Sequence, residues 1–414
     1  MGGTIIIGGG ITGLCTAYYL QKAGHQVTVV ERGDITDGCS FGNMGYMSPS
    51  HFIPLASPGI IAEGFKYMLS SSSPFYIKPR LNLELAQWAW HFFKNSTAAQ
   101  VKKSTPHLNN ILQLSRSLIN DMRQEVGDRF DMETKGCLMM CKTQRSLDHE
   151  RHLADDAENL GLIVNRLNAA EVQALETDVE VAVAGAILFK DDCHLDPGKL
   201  MLALRSYLEG KGVIFQLRST VSGFEKRGDF VTAAITNTEK IIGDNFVIAA
   251  GSWIPAVSKM LGIRLLLQPG KGYSTTYDHV EKNIKYPAIL VDGRCAITPW
   301  GNRLRIGGTM ELSGINNNVL IKRMQGIYHT ARDFYPGLDI EQPPADKIWN
   351  GLRPVTPDGL AYIGRVKEYK NVIVAGGHAM LGISQGTGTG LLVSQVLENK
   401  KTEIDISAFN LNRF

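Results

Sequence analysis

Thr4-Ile5-Ile6-Ile7-Gly8-Gly9-Gly10-Ile11-Thr12-Gly13 decides the fold. An apolar, β-branched run enters G-x-G-x-x-G, and the residues from Leu14 onward follow a helical pattern. A buried strand that turns on glycines into a helix builds a nucleotide site from backbone alone. Gly8 permits the turn, Gly10 lets a pyrophosphate approach the main chain, and Gly13 lets the helix lie close to the strand. The helix N-terminus, with Ile11 and Thr12 in its first turn, offers free N–H groups and a positive dipole end to phosphate. A second apolar run, Gln26–Val30, ends in Glu31 and Arg32. Glu31 lies eighteen residues past Gly13, where a carboxylate accepts hydrogen bonds from a ribose and repels a 2′-phosphate.

The 414 residues suit two domains, or one large domain with an insertion, and 44% hydrophobic residues are enough for a sizeable core. Forty-three basic residues against 40 acidic ones, with no basic stripe, give nucleic-acid binding no support. The six cysteines have no C-x-x-C spacing; Cys137 and Cys141 sit in an apolar strand-like run and read as packed thiols. No metal site is expected, and a reduced cytoplasmic setting is. The glycine motif begins at residue 8, so no secretory signal is read, and no apolar run is long enough to span a bilayer.

Residues 4–31 read strand–helix–strand. Residues 33–60 form a long Gly/Ser/Pro/Asn-rich loop, and Ser70–Pro74 another. Residues 81–95 read as a helix heavy in aromatics (Trp88, Trp90, Phe92, Phe93): a packed helix, or a lid or membrane-facing patch. A longer amphipathic helix is expected over 106–126. Strands are expected near 136–141 and 182–189, and Asp196-Pro197 opens a helix. Short strands follow at 213–217, 220–224, 230–235 and 245–249, the last entering Ala249-Ala250-Gly251-Ser252-Trp253. Alternating runs and a helix near 318–334 fill 264–350. Asn371–Ala375, a glycine-dense stretch from Gly376 to Gly390 and a final helix close the chain. The order implies an α/β fold with α+β insertions. A Rossmann-like cofactor domain (1–50, 190–260, 350–414) interleaves with a substrate or lid domain on a largely antiparallel sheet (51–189, 261–349).

These landmarks resemble the flavin-dependent D-amino-acid oxidase superfamily, and within it the bacterial D-amino-acid dehydrogenases. The resemblance covers nearly the whole chain. It rests on Gly8–Gly13 with Glu31, Gly38-Cys39-Ser40-Phe41-Gly42-Asn43-Met44-Gly45, Asp196-Pro197, Ala249–Trp253, Lys271-Gly272-Tyr273-Ser274, Gly351-Leu352-Arg353-Pro354, and Gly376-Gly377-His378 through Gly390. It implies FAD, with the early glycines on the pyrophosphate and Glu31 on the adenosine ribose. It places Ser40, Asn43 and Gly45 by the flavin or its phosphates, Val221 on the adenine side, and Ala250, Gly251 and Trp253 on the cofactor. Gly382, Ile383, Gly386 and Thr387 bring a helix N-terminus to the flavin pyrimidine edge, where it stabilises negative charge on the reduced ring. Some relatives tether FAD through a His beside the second glycine cluster or a late Cys. Asp37-Gly38-Cys39-Ser40 has no His and no cysteine follows Cys295, so non-covalent FAD is expected.

The implied chemistry removes a hydride from Cα to flavin N5, helped by the amine lone pair. The protein must fix the carboxylate, aim Cα–H and exclude water. Arg353 lies where the family's carboxylate-binding arginine lies, and a guanidinium is the planar bidentate donor the task needs. Tyr273 is a second candidate for the carboxylate, against a half-buried strand tyrosine, and His378 a candidate by the flavin edge. Tyr46 and His51 are weaker candidates at the substrate entrance. Lys271 reads rather as solvated and His194 as structural. Met44, Met47, Met380 and Leu381 imply an apolar pocket. The expected reaction is oxidative deamination of D-amino acids to 2-oxo acids and ammonia, with electrons passing to a quinone-type acceptor. The alternatives are a secondary amino acid (D-proline, D-hydroxyproline, sarcosine or glycine type) and an FAD subunit of a larger complex. Peripheral membrane contact at the inner face of the membrane stays open.

Overall fold

The computed structural model describes residues 3–62, 64, 73–80 and 82–414. The expected loop residues Ser70–Ser72 and the helix start at Leu81 lie outside the described residues. The strands Thr4–Ile7 and Val27–Val30 flank the helix Ile11–Lys22 and pair in parallel. They are the centre of a six-stranded sheet ordered Tyr362–Arg365, Val372–Gly376, Asn245–Ile248, Thr4–Ile7, Val27–Val30, Ile214–Gln216, parallel but for the first strand. Every residue of Thr4–Ile7 is buried, as a strand covered on both faces requires.

Strand and helix are drawn together by glycines that have no room for a side chain. A Cβ on Gly13 would sit 1.9 Å from the Gly8 carbonyl oxygen, and Gly8 itself has φ +113°. The final helix, Gly382–Leu397, lies against Ile11–Lys22 in the same way, since a Cβ on Gly390 would meet the Cys15 backbone at 2.5 Å. Both helices start beyond strands of this sheet, Thr4–Ile7 and Val372–Gly376, and their N-terminal residues line one cavity.

A second, nine-stranded sheet is mainly antiparallel. Gln268–Tyr277 lies between Trp349–Val355 and Arg303–Leu312; beyond them come Cys295–Trp300, Ala288–Leu290, Cys137–Cys141, Gly185–Phe189 and Val164–Asn168. Phe75–Ile77 pairs in parallel with the end of Arg303–Leu312.

Two segments depart from the sequence-based division. Trp349–Val355 belongs to the large sheet, because its partner is Gln268–Tyr277. The long helix begins at Ala98, eight residues before the expected start, and runs through Pro106 to Val126. Thr97 caps it, accepting the Gln100 N–H at 3.2 Å. Its Leu108, Ile111, Leu112 and Ile119 pack with Leu14, Tyr18, Ile383 and Leu392, so this helix shares its core with the cofactor-type layer. The helix Gln144–Asn159, not among the expected elements, starts at a Thr143–Ser146 capping box and buries Leu147, Ala154 and Ala157 on one face.

Candidate active site

A single large cavity of about 1520 Å³ runs from the glycine turn to the second sheet. Pockets for one small molecule span about 300–1,000 Å³, so there is space for a dinucleotide and a substrate together. Gly8, Gly10, Ile11 and Thr12 line one end with Glu31, Arg32, Val221, Ala250, Gly251 and Trp253. The Arg32 guanidinium lies 3.5 Å from the Trp253 ring centre, and the Glu31 carboxylate accepts N–H groups from Gly9 at 2.7 Å and Gly33 at 2.8 Å. Ser40 and Asn43 line the middle, Ser40 Oγ accepting the Ile11 N–H at 3.1 Å. Gly382, Ile383 and Ser384 line it from the other helix.

Gly10 and Leu381 are the N-caps and neither gives a side-chain hydrogen bond; at the first helix Ser40 Oγ takes the Ile11 N–H instead. Two helix N-termini on one cavity, neither capped by its own N-cap residue, offer N–H groups that stabilise anionic charge. A Cβ on Gly10 would have only Ser40 Oγ nearby, at 3.3 Å, which leaves that backbone open to a phosphate. The residues present therefore fit a dinucleotide, with helix-end N–H groups available to anionic charge.

Four expected cofactor contacts do not line the cavity. Gly13 serves the strand–helix approach described above. Gly45, at φ +81°, is filled against the Leu195 carbonyl, which its Cβ would meet at 2.0 Å. Gly386 faces Ile11, and the Thr387 hydroxyl donates to the Ser115 carbonyl at 3.0 Å. One helical turn past the N-terminus, these positions face neighbouring helices, so the glycine-dense stretch is largely a packing surface.

At the second sheet, Arg353 lines the cavity and has no acidic partner among the described residues. Its guanidinium donates to the carbonyls of Thr309 and, at 3.4 Å, Gly308. Burial pushes its pKa down to about 10. It rests over Gly272, whose Cβ would come within 2.2 Å of Nη2. Thr309, at φ +69°, sits where Arg303–Leu312 passes from pairing with Cys295–Trp300 to pairing with Phe75–Ile77. Such a backbone in a β-branched residue costs about 1–3 kcal/mol and clusters at functional sites. Here it turns a carbonyl onto the arginine. Gly272→Ala is expected to displace the guanidinium and raise the substrate KM at least tenfold while FAD content holds; steady-state kinetics with flavin absorbance checks both.

Tyr273 lines the cavity, but its hydroxyl is engaged away from Arg353. Side chains alternate along a strand, so Tyr273 and Lys271 share the face opposite Gly272 and Arg353. The phenol donates to Glu311 and accepts the Leu320 N–H at 3.3 Å. Lys271, read as solvated, is fully buried: its ammonium lies 3.3 Å from Glu311 and donates to Asn316 Oδ1 at 2.5 Å and the Asn318 carbonyl at 2.6 Å. The pair faces across the two strands, Lys271 opposite Glu311. This network fastens the segment after the strand; Tyr273 does not direct its hydroxyl to the arginine's side.

His378 lines the cavity but is buried, with Nε2 2.9 Å from Thr389 Oγ1, and burial drives its pKa down to about 4. It is a neutral wall residue. The Tyr46 hydroxyl is held between Ala288 and Ile297, and Met47 is in the core. His194 is buried against the Pro299 carbonyl at 3.1 Å.

Met44, Met380 and Leu381 line the cavity as the expected apolar pocket requires, Met47 does not, and the sequence reading missed Trp349. The Trp349 indole lies against Gly42 and Gly351, whose Cβ atoms would meet it at 2.2 and 2.0 Å. Trp88 and Phe92, stacked at 4.9 Å, line the cavity from the helix Leu83–Asn95, with the Trp88 Nε1–H donating to the Val355 carbonyl at 2.9 Å. The same helix exposes Leu83, Trp90 and Phe93, so it is packed on one side and an apolar patch on the other.

A strand–glycine–helix nucleotide layer, a second sheet and one cavity between them define a two-part dinucleotide oxidoreductase. The sequence profile of the DAO family, FAD-dependent oxidoreductases, matches residues 4–396, and the chain belongs to that family. It is 31% identical to a D-amino acid dehydrogenase from Granulibacter bethesdensis, over 99% of both chains. Among solved structures, glycine oxidase from Geobacillus kaustophilus superposes with a TM-score of 0.80 at 23% identity, covering 100% of this chain and 99% of that one. L-proline dehydrogenase from P. horikoshii gives 0.74 at 18% identity, covering 100% and 97%. At those identities the likeness shows the fold alone. The chain is an FAD-dependent oxidoreductase, and non-covalent FAD is the expectation from its sequence. Acid precipitation is expected to release all the flavin into the supernatant; flavin retained in the pellet would contradict this.

Proposed function

We propose that the chain oxidises D-amino acids to 2-oxo acids and ammonia. The observation that carries this reading is Arg353, a buried guanidinium on the cavity wall, oriented by two carbonyls and without an acidic partner among the described residues. A buried cation held this way is built for an anion brought from outside, and its planar fork matches a carboxylate. Bound FAD supplies the hydride acceptor. The chain's residues do the rest: Arg353 holds the carboxylate and fixes the height of Cα. The Gly382–Ser384 helix end offers N–H groups where charge develops. Trp349, Trp88, Phe92 and Met310 keep water from the reacting carbon.

In this reading Arg353 is the catalytic-site residue, with Gly8, Gly10, Ile11, Thr12, Glu31, Arg32, Ser40, Asn43, Val221, Ala250, Gly251, Trp253, Gly382 and Ile383 on the cofactor. The cofactor part is residues 1–50, 190–260 and 350–414. It is amended by adding the Ala98–Val126 helix and giving Trp349–Val355 to the substrate part. Electrons pass on to a quinone-type acceptor; the exposed Leu83, Trp90 and Phe93 beside the cavity support an apolar docking face, such as a membrane surface.

Secondary amino acids are the second reading, favoured by the apolar walls, since the same arginine serves them. Turnover of a D-amino-acid panel and D-proline with an artificial dye acceptor, with ammonia and 2-oxo acid measured, separates the two. Equimolar ammonia and 2-oxo acid support the deamination. A cyclic imine without ammonia moves the assignment to D-proline, and no turnover of either overturns both.

A further inference from the structure

Asp192 is fully buried with no ion-pair partner among the described residues, and Ser50 donates to both its oxygens. Ser50 N–H donates to Oδ1 at 3.1 Å and Ser50 Oγ–H to Oδ2 at 2.6 Å. The same Ser50 Oγ lies 3.1 Å from His51 Nδ1. His51 lines the cavity, and its Nε2 has no partner among the described residues. A hydrogen-bonded chain of three side chains therefore leads from the cavity to a buried carboxylate. The turn that carries it is pinned: the His51 N–H donates to the Ser48 carbonyl at 3.1 Å, and the Ser48 N–H to Ser384 Oγ at 3.2 Å, at the N-terminus of the Gly382–Leu397 helix. The end of the chain is thus tied to the place where the electron-accepting ring is expected.

An amino acid arrives as an ammonium, and Cα can give up a hydride only once the nitrogen lone pair is free. We propose that His51, Ser50 and Asp192 form a proton relay that removes the ammonium proton of the substrate. The N–H bond of the ammonium breaks as His51 Nε2–H forms. Nδ1–H passes its proton to Ser50 Oγ, and the Ser50 hydroxyl proton passes to Asp192 Oδ2. The substrate leaves this step as a neutral amine and Asp192 as a carboxylic acid; no electrons move. The inference rests on the amino-acid reading above.

The electrostatics agree with that division of labour. Burial pushes the Asp192 carboxyl up to about 7, so it can hold a proton near neutrality, and pushes the His51 imidazole down to about 4, so it conducts without holding charge. The titratable groups around Asp192 are Asp191, which raises it further, and the buried thiols of Cys137 and Cys193, the latter under Arg116 and Arg123; Ser48 and Ser50 lower it.

The test is the pH profile of anaerobic flavin reduction by a D-amino acid in holoenzyme carrying Asp192→Asn. General-base contributions run about 10²–10⁴-fold, so the rate near pH 7 is expected to fall at least about 10²-fold. It recovers to within a few-fold of wild type at alkaline pH, where the amine is already neutral, with FAD content unchanged. Ser50→Ala, which leaves the carboxylate in place, is expected to shift the profile in the same direction, and stands in if the first variant does not fold. An unchanged profile, or an equal loss at every pH, overturns the relay. A wild-type flavin that no amino acid reduces at any pH overturns the amino-acid reading itself, and the two failures are distinguishable.

Discussion

Arg353→Met is expected to leave FAD bound and the fold more stable while nearly abolishing use of the substrate. In the free enzyme Arg353 is a buried cation answered only by carbonyls, and burial lowers its pKa to about 10. Replacing such a charge by an apolar side chain of similar length removes a desolvation penalty, so the melting temperature should rise. Substrate binding reverses the sign. Removing one partner of a buried, charge-assisted pair costs roughly 2–5 kcal/mol, which is about 30- to several-thousand-fold in kcat/KM. The loss should fall on KM for every carboxylate substrate alike. Steady-state kinetics with thermal unfolding of the same sample reads both; an unchanged KM, or a loss of FAD, contradicts the assignment.

The second large effect separates two glycines of one motif. Gly13→Ala places a methyl 1.9 Å from the Gly8 carbonyl oxygen, backbone against backbone, with no side chain to yield. Overpacking of this kind costs about 1–3 kcal/mol and often more, so this variant should lose stability whether or not FAD is present. Gly10→Ala meets only Ser40 Oγ, at 3.3 Å. Its apoprotein should melt close to wild type, yet its FAD affinity should fall at least tenfold, because the methyl occupies the approach of the pyrophosphate. Flavin fluorescence titration of the two apoproteins, beside their melting curves, distinguishes them. Equal FAD affinity in Gly10→Ala and wild type would remove the phosphate from that glycine.

The cofactor end was legible from sequence because its signals are local. Gly8, Gly10, Glu31 and the Gly382 turn are each part of a strand–turn–helix whose period can be read within thirty residues. The reading overreached where the same residue type serves two purposes. Gly386 and Thr387 continue a glycine-dense run, but one helical turn carries them from the cavity to the Ile11 and Ser115 side. Tyr273 and Lys271 were placed by motif alone. Strand alternation settles which face each takes, but only once Gly272 is known to lie beneath Arg353. The least legible parts are pairings across long separations. Ser50 and Asp192 are 142 residues apart, and Arg353 is oriented by a strained strand 44 residues upstream. Neither leaves a periodic trace.

The most direct test of the central claim is anaerobic mixing of the purified yellow protein with separate D- and L-amino acids, followed by flavin absorbance. Bleaching by D-amino acids, and weakly or not at all by their L-enantiomers, is the result predicted here. A flavin that stays oxidised with every D-amino acid and with D-proline would contradict it.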